Sequence, residues 1–464
     1  MSEENTPVLY ELSPSQSLMH YLVAFSIHKQ VTQIPCSITV DEPLDFDLLK
    51  KALTIEIERN DALRLRFVPG KKKAIKQYFA ESVPTPDVKV YNFKTPAEQE
   101  KVLGTDAGTP VLYAKGECYR VIFFRSYDGR YGIYFNVSHV VSDAFGAAVF
   151  FDDILNVYRA LQTGSEMPKA LPSFEKYIQK QFAYLQSDRH LKDREFYINY
   201  WKENGEPFYA GVHGPDLLDK ARKKNPATRV PPAYDPLRDK AEVLKFEMSK
   251  EDTDAVYEYC KNHSVTPEVL FMFAMRAHCA KINYRTDDVL NMVMCNRRAT
   301  KTEERLGGCL AQPLQCRIKT DEAESFTSAV QKLGANRYQL LRHMNFPYME
   351  ALFLQRQEFN FKTSQGPSCL MFSWMPFTLM KNEAGFRIKF EAYCMGRYVM
   401  PLYAFAIPDA ETGTTKFQYM FRKNFIKPTH IEQLQNNMLK AVRLGIENPE
   451  MTIGELFDKL DDLK

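Results

Sequence analysis

The chain has 464 residues, room for two domains of ordinary size or one large duplicated fold, and its 45% hydrophobic and 26% charged residues are those of a globular protein. A net charge of +3 is too small to argue for nucleic acid, and no apolar run reaches the length of a membrane span. The N-terminus, MSEENTPVLY, lacks the basic-then-apolar pattern of a signal segment, so a cytoplasmic location is expected.

The periodicity predicts a helix opening at Pro14, capped by Ser13 or Ser15, and a strand over Ile34–Val40. An amphipathic helix from Leu44 to Arg59, with Asp45 at its start, runs into a turn and a strand ending at Phe67. Further strands are expected between Phe79 and Asn92 and over Tyr119–Phe124, the latter entering a hairpin turned at Asp128-Gly129. The return strand carries Tyr131, Ile133, Tyr134, Phe135 and Val137, and then the period changes. Phe145, Val149, Phe150, Ile154, Val157, Tyr158 and Leu161 recur at helical spacing. Between strand and helix stands Ser138-His139-Val140-Val141-Ser142-Asp143.

A loop over Gly164–Pro172, a helical stretch over Phe174–Tyr200 and a Gly/Pro-rich linker from Gly205 to Pro236 follow. Beyond the linker come a strand at Val243–Met248, a helix starting at Lys250, and a helix capped by Thr266 with Pro267 first. That last helix is apolar nearly all round to Ile282 and is expected to be buried. A strand over Asp287–Cys295, a helix over Phe326–Arg342 capped by Ser325, and strands at Cys369–Trp374, Phe386–Phe390, Val399–Ile407 and Thr415–Phe421 precede a long helix at His430–Arg443. The basic patches Lys71–Lys73 and 220–224 read as solvated loops, or as attractors for a phosphate-bearing donor or an acidic carrier protein. Nine scattered cysteines, without a CxxC pair or a His/Cys cluster at zinc spacing, point to reduced thiols and no metal site. No Gly-x-Ser-x-Gly elbow, P-loop or dinucleotide glycine pattern is present.

His139 thus falls at the end of a core strand, where an imidazole is fixed on a rigid element and titrates near neutrality. Asp143 falls where a helix N-cap or first-turn acid stands. These residues alone admit either a structural histidine or a general base.

The stretch resembles the HHxxxDG motif of the condensation domains of nonribosomal peptide synthetases, and the HxxxD motif of the wider chloramphenicol acetyltransferase-like superfamily of thioester-dependent acyltransferases. The motif's second histidine falls on His139 and its aspartate on Asp143; Ser138 replaces the first histidine and Ala144 the glycine. The resemblance continues in order along the chain. It takes in Leu12, Ser13 and Gln16, the turn from Arg59 to Phe67, Tyr200-Trp201, then Arg297, Gly307 and Arg317, and a closing segment from Asn448. The DFGWG motif of plant-type CoA-using acyltransferases is absent.

The resemblance implies an α/β fold (α+β two-layer sandwiches) of two chloramphenicol acetyltransferase-like halves, expected here over 1–180 and 181–464. It implies that the halves meet in a V around a central cleft and tunnel that holds the active histidine. It further implies a free-standing acyltransferase. His139 would be the general base, moving an acyl group from a coenzyme A or phosphopantetheine thioester to a hydroxyl or amine of a small-molecule acceptor. No permanently bound cofactor or metal is implied; the donor partner would be CoA or an acyl or peptidyl carrier protein. Asp143 would be structural, paired with an arginine for which Arg297 is the matching position, and N–H groups at the helix start, at Ala144, would face the oxyanion. Ser138, on strand alternation, would face away from His139 and bond to backbone. The alternative is a degenerate domain that only binds a carrier protein or partner enzyme.

Overall fold

The computed structural model describes residues 7–70, 74–233, 235, 237–375, 380–409 and 411–463. The basic run Lys71–Lys73 and Pro236 of the expected linker lie outside the described residues. The chain forms two compact units. One comprises Met1–Ser187, Asn296–Ala311 and Thr378–Arg397; the other comprises Asp188–Cys295, Gln312–Phe377 and Tyr398–Lys464. The sequence suggested one cut near residue 180. The chain instead returns twice to the first unit, because one later segment binds Asp143 and another adds a strand to its sheet.

In the first unit a five-stranded sheet runs in the order β12 (Ile388–Ala392), β2 (Ile34–Val40), β7 (Tyr131–Val137), β6 (Tyr119–Arg125) and β5 (Lys89–Asn92). All neighbours are antiparallel except β5 and β6. Strand β7 is central, and its last residue, Val137, is opposite Ile34 on one side and Tyr119 on the other. His139 therefore stands two residues past a ladder that is closed on both flanks.

A smaller sheet orders β1 (Tyr10–Glu11), β4 (Ile75–Phe79) and β3 (Leu65–Pro69). The helices are α1 (Pro14–Phe25), α2 (Phe46–Arg59), α3 (Pro96–Ala107), α4 (Ala144–Thr163) and α5 (Phe174–Leu185). Strand β7 is fastened to α4 by Phe135, which stacks on Phe150 at 4.0 Å and meets Phe151 edge-on. Each such fully buried ring contributes about 1.5–3 kcal/mol through area removed from water.

Helices α2 and α4 pack together and enclose an acid pair. Glu56 of α2 is fully buried, and Asn60 Nδ2 donates to its Oε1 at 2.9 Å. Burial, then the neighbouring Asp153, hold the Glu56 carboxyl well above the usual range. Asp153 of α4 accepts twice from Arg59, at 2.7 and 3.0 Å. A carboxyl raised in the fold contributes stability that is present below its unfolded pKa and lost as pH rises through the folded one. Glu56→Gln is therefore expected to fold at least as stably as wild type at pH 8 and to gain stability relative to wild type as pH rises from 5 to 8. Urea midpoints at the two pH values check this; a variant less stable than wild type at pH 8 rules it out.

The second unit has a six-stranded mixed sheet. Its order is β10 (Gln312–Lys319), β9 (Asp288–Cys295), β11 (Leu370–Trp374), β13 (Leu402–Pro408), β14 (Thr415–Arg422) and β8 (Ala241–Met248). Its helices are α6 (Asp188–Asn204), α7 (Asp216–Arg222), α8 (Lys250–Asn262), α9 (Pro267–Ile282), α10 (Phe326–Leu341), α11 (Tyr348–Phe359), α12 (Pro428–Glu447) and α13 (Ile453–Lys459). Helix α9 is buried on nearly every face, as its all-round apolar sequence predicts. The helical stretch expected over Phe174–Tyr200 is two helices, α5 and α6, parted at Gln186-Ser187. Each unit is thus a mixed sheet combined with helices, the α/β class expected from the sequence. Among the described residues no helix is long and apolar enough to cross a membrane.

Candidate active site

The site is built where β7 ends and α4 begins. After Val137 the chain makes a tight turn: the carbonyl of Ser138 accepts from the N–H of Val141 at 2.9 Å and of Ser142 at 3.2 Å. Helix α4 then starts with Asp143 as its N-cap, Oδ1 accepting from the Gly146 N–H at 2.8 Å. The turn folds back because Gly146 has no side chain. A Cβ there would come within 2.2 Å of the Gly307 carbonyl oxygen and of Ser142 Oγ. Through that gap Ser142 Oγ donates to the Gly307 carbonyl at 2.7 Å, fastening the turn to the segment Asn296–Ala311.

Asp143 is 1% exposed and its carboxylate is a hub. Its Oδ2 accepts from Arg298 Nη1 at 2.9 Å and from the N–H groups of Leu310 at 2.8 Å and Ala311 at 2.9 Å. Burial alone would push this carboxyl up; the Arg298 guanidinium and the N–H donors more than offset it and hold it below the usual range. Both terminal nitrogens of Arg298 have further partners. It donates to the carbonyls of Asn296 at 3.2 Å, Leu306 at 2.9 Å and Gly308 at 3.1 Å, and lies 5.1 Å over the Phe145 ring.

This corrects the arginine expected from the sequence. Arg298, not Arg297, pairs with Asp143. The reason is local: Asn296 Oδ1 accepts from the Arg298 N–H at 2.8 Å, and Arg297 takes a left-handed φ of +55°. The two successive side chains then diverge. Arg297 is buried elsewhere, donating to Ser15 Oγ at 3.0 Å and Gln181 Oε1 at 2.6 Å. Arg317 is absorbed in the second unit, where Nε and Nη2 each donate to Asp288 at 2.6 Å.

His139 is partly buried. Its Nδ1 lies 3.7 Å from Cys309 Sγ. Burial lowers the pKa of His139 below the ordinary imidazole value, against the smaller opposing effect of the Asp143 charge. The ring is therefore neutral at pH 7. Burial pushes the Cys309 thiol well up, so the sulfur beside the ring is an uncharged thiol and does not compete for its proton.

The two positions that depart from the motif have local roles. The Ser138 N–H donates to the Cys118 carbonyl at 3.0 Å, one step beyond the Tyr119–Val137 pair of β6 and β7. Ser138 is buried, and its Oγ accepts from the Val140 N–H at 3.4 Å, inside the turn. Ala144 is the first residue of α4, is exposed, and has no left-handed φ that would require glycine. Sequence reasoning missed the Leu310 and Ala311 N–H groups, which no side-chain pattern reports. It also missed Cys309, whose only signal was its place two residues after Gly307. Among the described residues no group of three or more His, Cys, Asp or Glu could hold a metal ion.

A family model described as a condensation domain matches residues 8–458. Surfactin synthase subunit 1 of Bacillus subtilis (strain 168) is 21% identical over 458 residues, covering 96% of this chain and 12% of the relative. Gramicidin S synthase 2 of Brevibacillus brevis is 24% identical over 359 residues, covering 75% of this chain and 8% of the relative. The chain thus spans only a small part of the length of these relatives. Among solved structures, the first condensation domain of the CDA synthetase superposes with a TM-score of 0.79 at 17% identity, covering 97% of this chain and 99% of that one. A mutant of the starter condensation domain of rhizomide synthetase RzmA, in complex with C8-CoA, superposes with a TM-score of 0.79 at 15% identity, covering 96% and 97%.

Proposed function

The chain belongs to the condensation domain family, and from that premise we propose that it transfers an acyl group from a thioester to a hydroxyl or amine, with His139 as the general base. One observation carries this reading. The carboxylate of the motif is taken up by Arg298 and three backbone N–H groups, while His139 is held neutral by burial and has Cys309 beside its Nδ1. A carboxylate so engaged shapes the turn, and the imidazole is the group left to move a proton.

In the proposed step His139 Nε2 takes the proton of the acceptor as its oxygen or nitrogen attacks the thioester carbonyl. The tetrahedral intermediate collapses by breaking the C–S bond, and the imidazolium returns the proton to the leaving thiolate. The oxyanion would be met by the N–H groups of Ala144 and Phe145. These are at the start of α4, where the first N–H groups lack intrahelical partners, whereas that of Gly146 is already spent on Asp143. The thioester arm is that of CoA or of carrier-bound phosphopantetheine; the C8-CoA bound by the RzmA mutant supports the first source and the peptide synthase relatives the second.

The test is thiol release from a panel of acyl-CoA thioesters, with alcohols and amines added, in wild type and His139→Ala. The expected result is acceptor-dependent release that falls about 10²- to 10⁴-fold in the variant. Release equal in the two proteins overturns the role of His139. No release from any CoA donor moves the assay to acyl-loaded carrier protein. Silence there too favours the binding-only domain, which Ser138 in place of the first motif histidine keeps in view.

A further inference from the structure

The turn that carries His139 is held from outside at both of its ends. Ser142 Oγ holds Gly307 and Asp143 holds Arg298, and both of these secure the end next to α4. Around His139 the Ser138 N–H donates to the Cys118 carbonyl at 3.0 Å, and Gln16 of α1 donates from Nε2 to the Val140 carbonyl at 3.0 Å across 124 residues of sequence. Gln16 is 0% exposed and its amide is engaged on both sides. Its Oε1 accepts from the Ser13 N–H at 3.0 Å, closing the capping box of α1, and from Gln77 Nε2 at 2.8 Å. Its Nε2 also donates to Gln77 Oε1 at 2.7 Å, so the two amides pair reciprocally. Gln77 of β4, also 0% exposed, is itself anchored by donating from Nε2 to the Glu11 carbonyl at 3.0 Å.

The orientation of both amides is fixed by partners that can act in one sense only. The Ser13 N–H can only donate, so it marks Gln16 Oε1. The Val140 and Glu11 carbonyls can only accept, so they mark the two Nε2 atoms. We infer that Gln16, held in plane by Gln77, is a positioning residue for His139: it fixes the Val140–Val141 peptide, one residue beyond the histidine, and so aims the imidazole. The proposal rests on the reading of His139 as a base, and it gives work to Leu12-Ser13-x-x-Gln16, a pattern that the chemistry of the site otherwise leaves unused.

Methionine is nearly the shape of glutamine without its polar atoms. The double variant Gln16→Met/Gln77→Met therefore removes the pair without leaving either amide buried and unpartnered, and folding is expected to survive. A purely structural pair predicts that activity follows stability. A positioning pair predicts instead a kcat about tenfold to a hundredfold lower at unchanged KM, in a protein whose urea midpoint is near that of wild type. A second readout needs no turnover. In protein labelled with ¹³C-histidine, the His139 resonance, assigned by its loss in His139→Ala, is expected to shift and to titrate differently in the double variant.

Resonance and kcat both equal to wild type overturn the proposal. If wild type transfers no acyl group, the proposed function has failed while the imidazole resonance still decides the positioning. If the double variant does not fold, Gln77→Met alone is measured. There Gln16 keeps its bond to Val140 but loses the partner that fixes its plane; a lowered kcat at unchanged KM sustains the inference, and an unchanged kcat with an unchanged His139 resonance overturns it.

Discussion

Arg298→Ala is expected to lose about 3–5 kcal/mol of folding stability, among the largest effects of any single substitution in the first unit. The side chain of Arg298 is 0% exposed and that of Asp143 2%, so no water stands ready to replace the guanidinium. The truncation leaves a buried carboxylate with backbone N–H groups but no counter-charge, and strips a donor from the carbonyls of Leu306 and Gly308. Arg298→Lys keeps the charge but not the fork, and should fall between the two. The measurement is a urea midpoint, extended to a double-mutant cycle with Asp143→Asn. Strong coupling is expected between Asp143 and Arg298, and little between Asp143 and Arg297, which bonds Ser15 and Gln181 instead. A loss under about 1 kcal/mol for Arg298→Ala, or stronger coupling to Arg297, contradicts the arrangement.

Acid should unfold the second unit well before it protonates ordinary carboxylates. His213 and His278 are 6% and 0% exposed. Among the described residues neither ring nitrogen of His213 has a hydrogen-bond partner, and the His278 Nδ1 accepts from Asn437 Nδ2 at 3.1 Å. Burial, with the nearby His430 adding to it and Asp216 opposing, holds His213 at about 4. Burial, again with His430 adding, holds His278 at about 3. Both stay neutral in the fold, whereas the unfolded chain takes up protons near 6.5. The unfolded state therefore binds more protons below pH 6.5, and stability falls as pH falls, down to the folded values. At pH 5 the cost is about 2 kcal/mol per histidine. Asp143, whose carboxyl lies below its usual range, adds to the loss in stronger acid. Urea midpoints at pH 7 and 5 should differ sharply, and His213→Leu should remove about half of that difference. Equal midpoints at the two pH values in wild type sink the prediction.

Much of the frame was legible because local signals and tertiary environment agree. Strand β2 occupies Ile34–Val40 as its β-branched run predicts, and Ser13, Asp45, Thr266 and Ser325 all cap the helices they announce. Thr95-Pro96 and the capping box at Thr452 mark the starts of helices α3 and α13, but α3 buries only Leu103 and Ala107 and α13 is only 7 residues long, so neither shows a sustained apolar period. Helix α11 starts after Pro347 with no side-chain cap at all, so nothing local announces it. At the site, His139 and Asp143 could be placed because they sit at a change of period. The partner of Asp143 could not: choosing between Arg297 and Arg298 depends on one left-handed residue, and a one-residue difference in a loop redirects the whole side chain. The donors from Leu310 and Ala311 are main-chain groups, the same in any sequence.

The return of Asn296–Ala311 to the first unit sets the order in which the molecule can be completed. Asp143 is translated 155 residues before Arg298 and 168 before Ala311. At about 5–20 residues per second, a ribosome leaves that carboxylate without its partners for roughly 10–30 s. Strand β12 arrives later still to cover the edge of β2, which until then is an unpaired edge on a nascent sheet. An early-folding N-terminal segment therefore cannot bury Asp143 at low cost, and its turn stays hydrated until the later segment arrives. The setting of His139 is among the later features of the first unit to be finished, so the growing chain carries an exposed sheet edge, and for a time an unformed turn around His139, while the later segments are made.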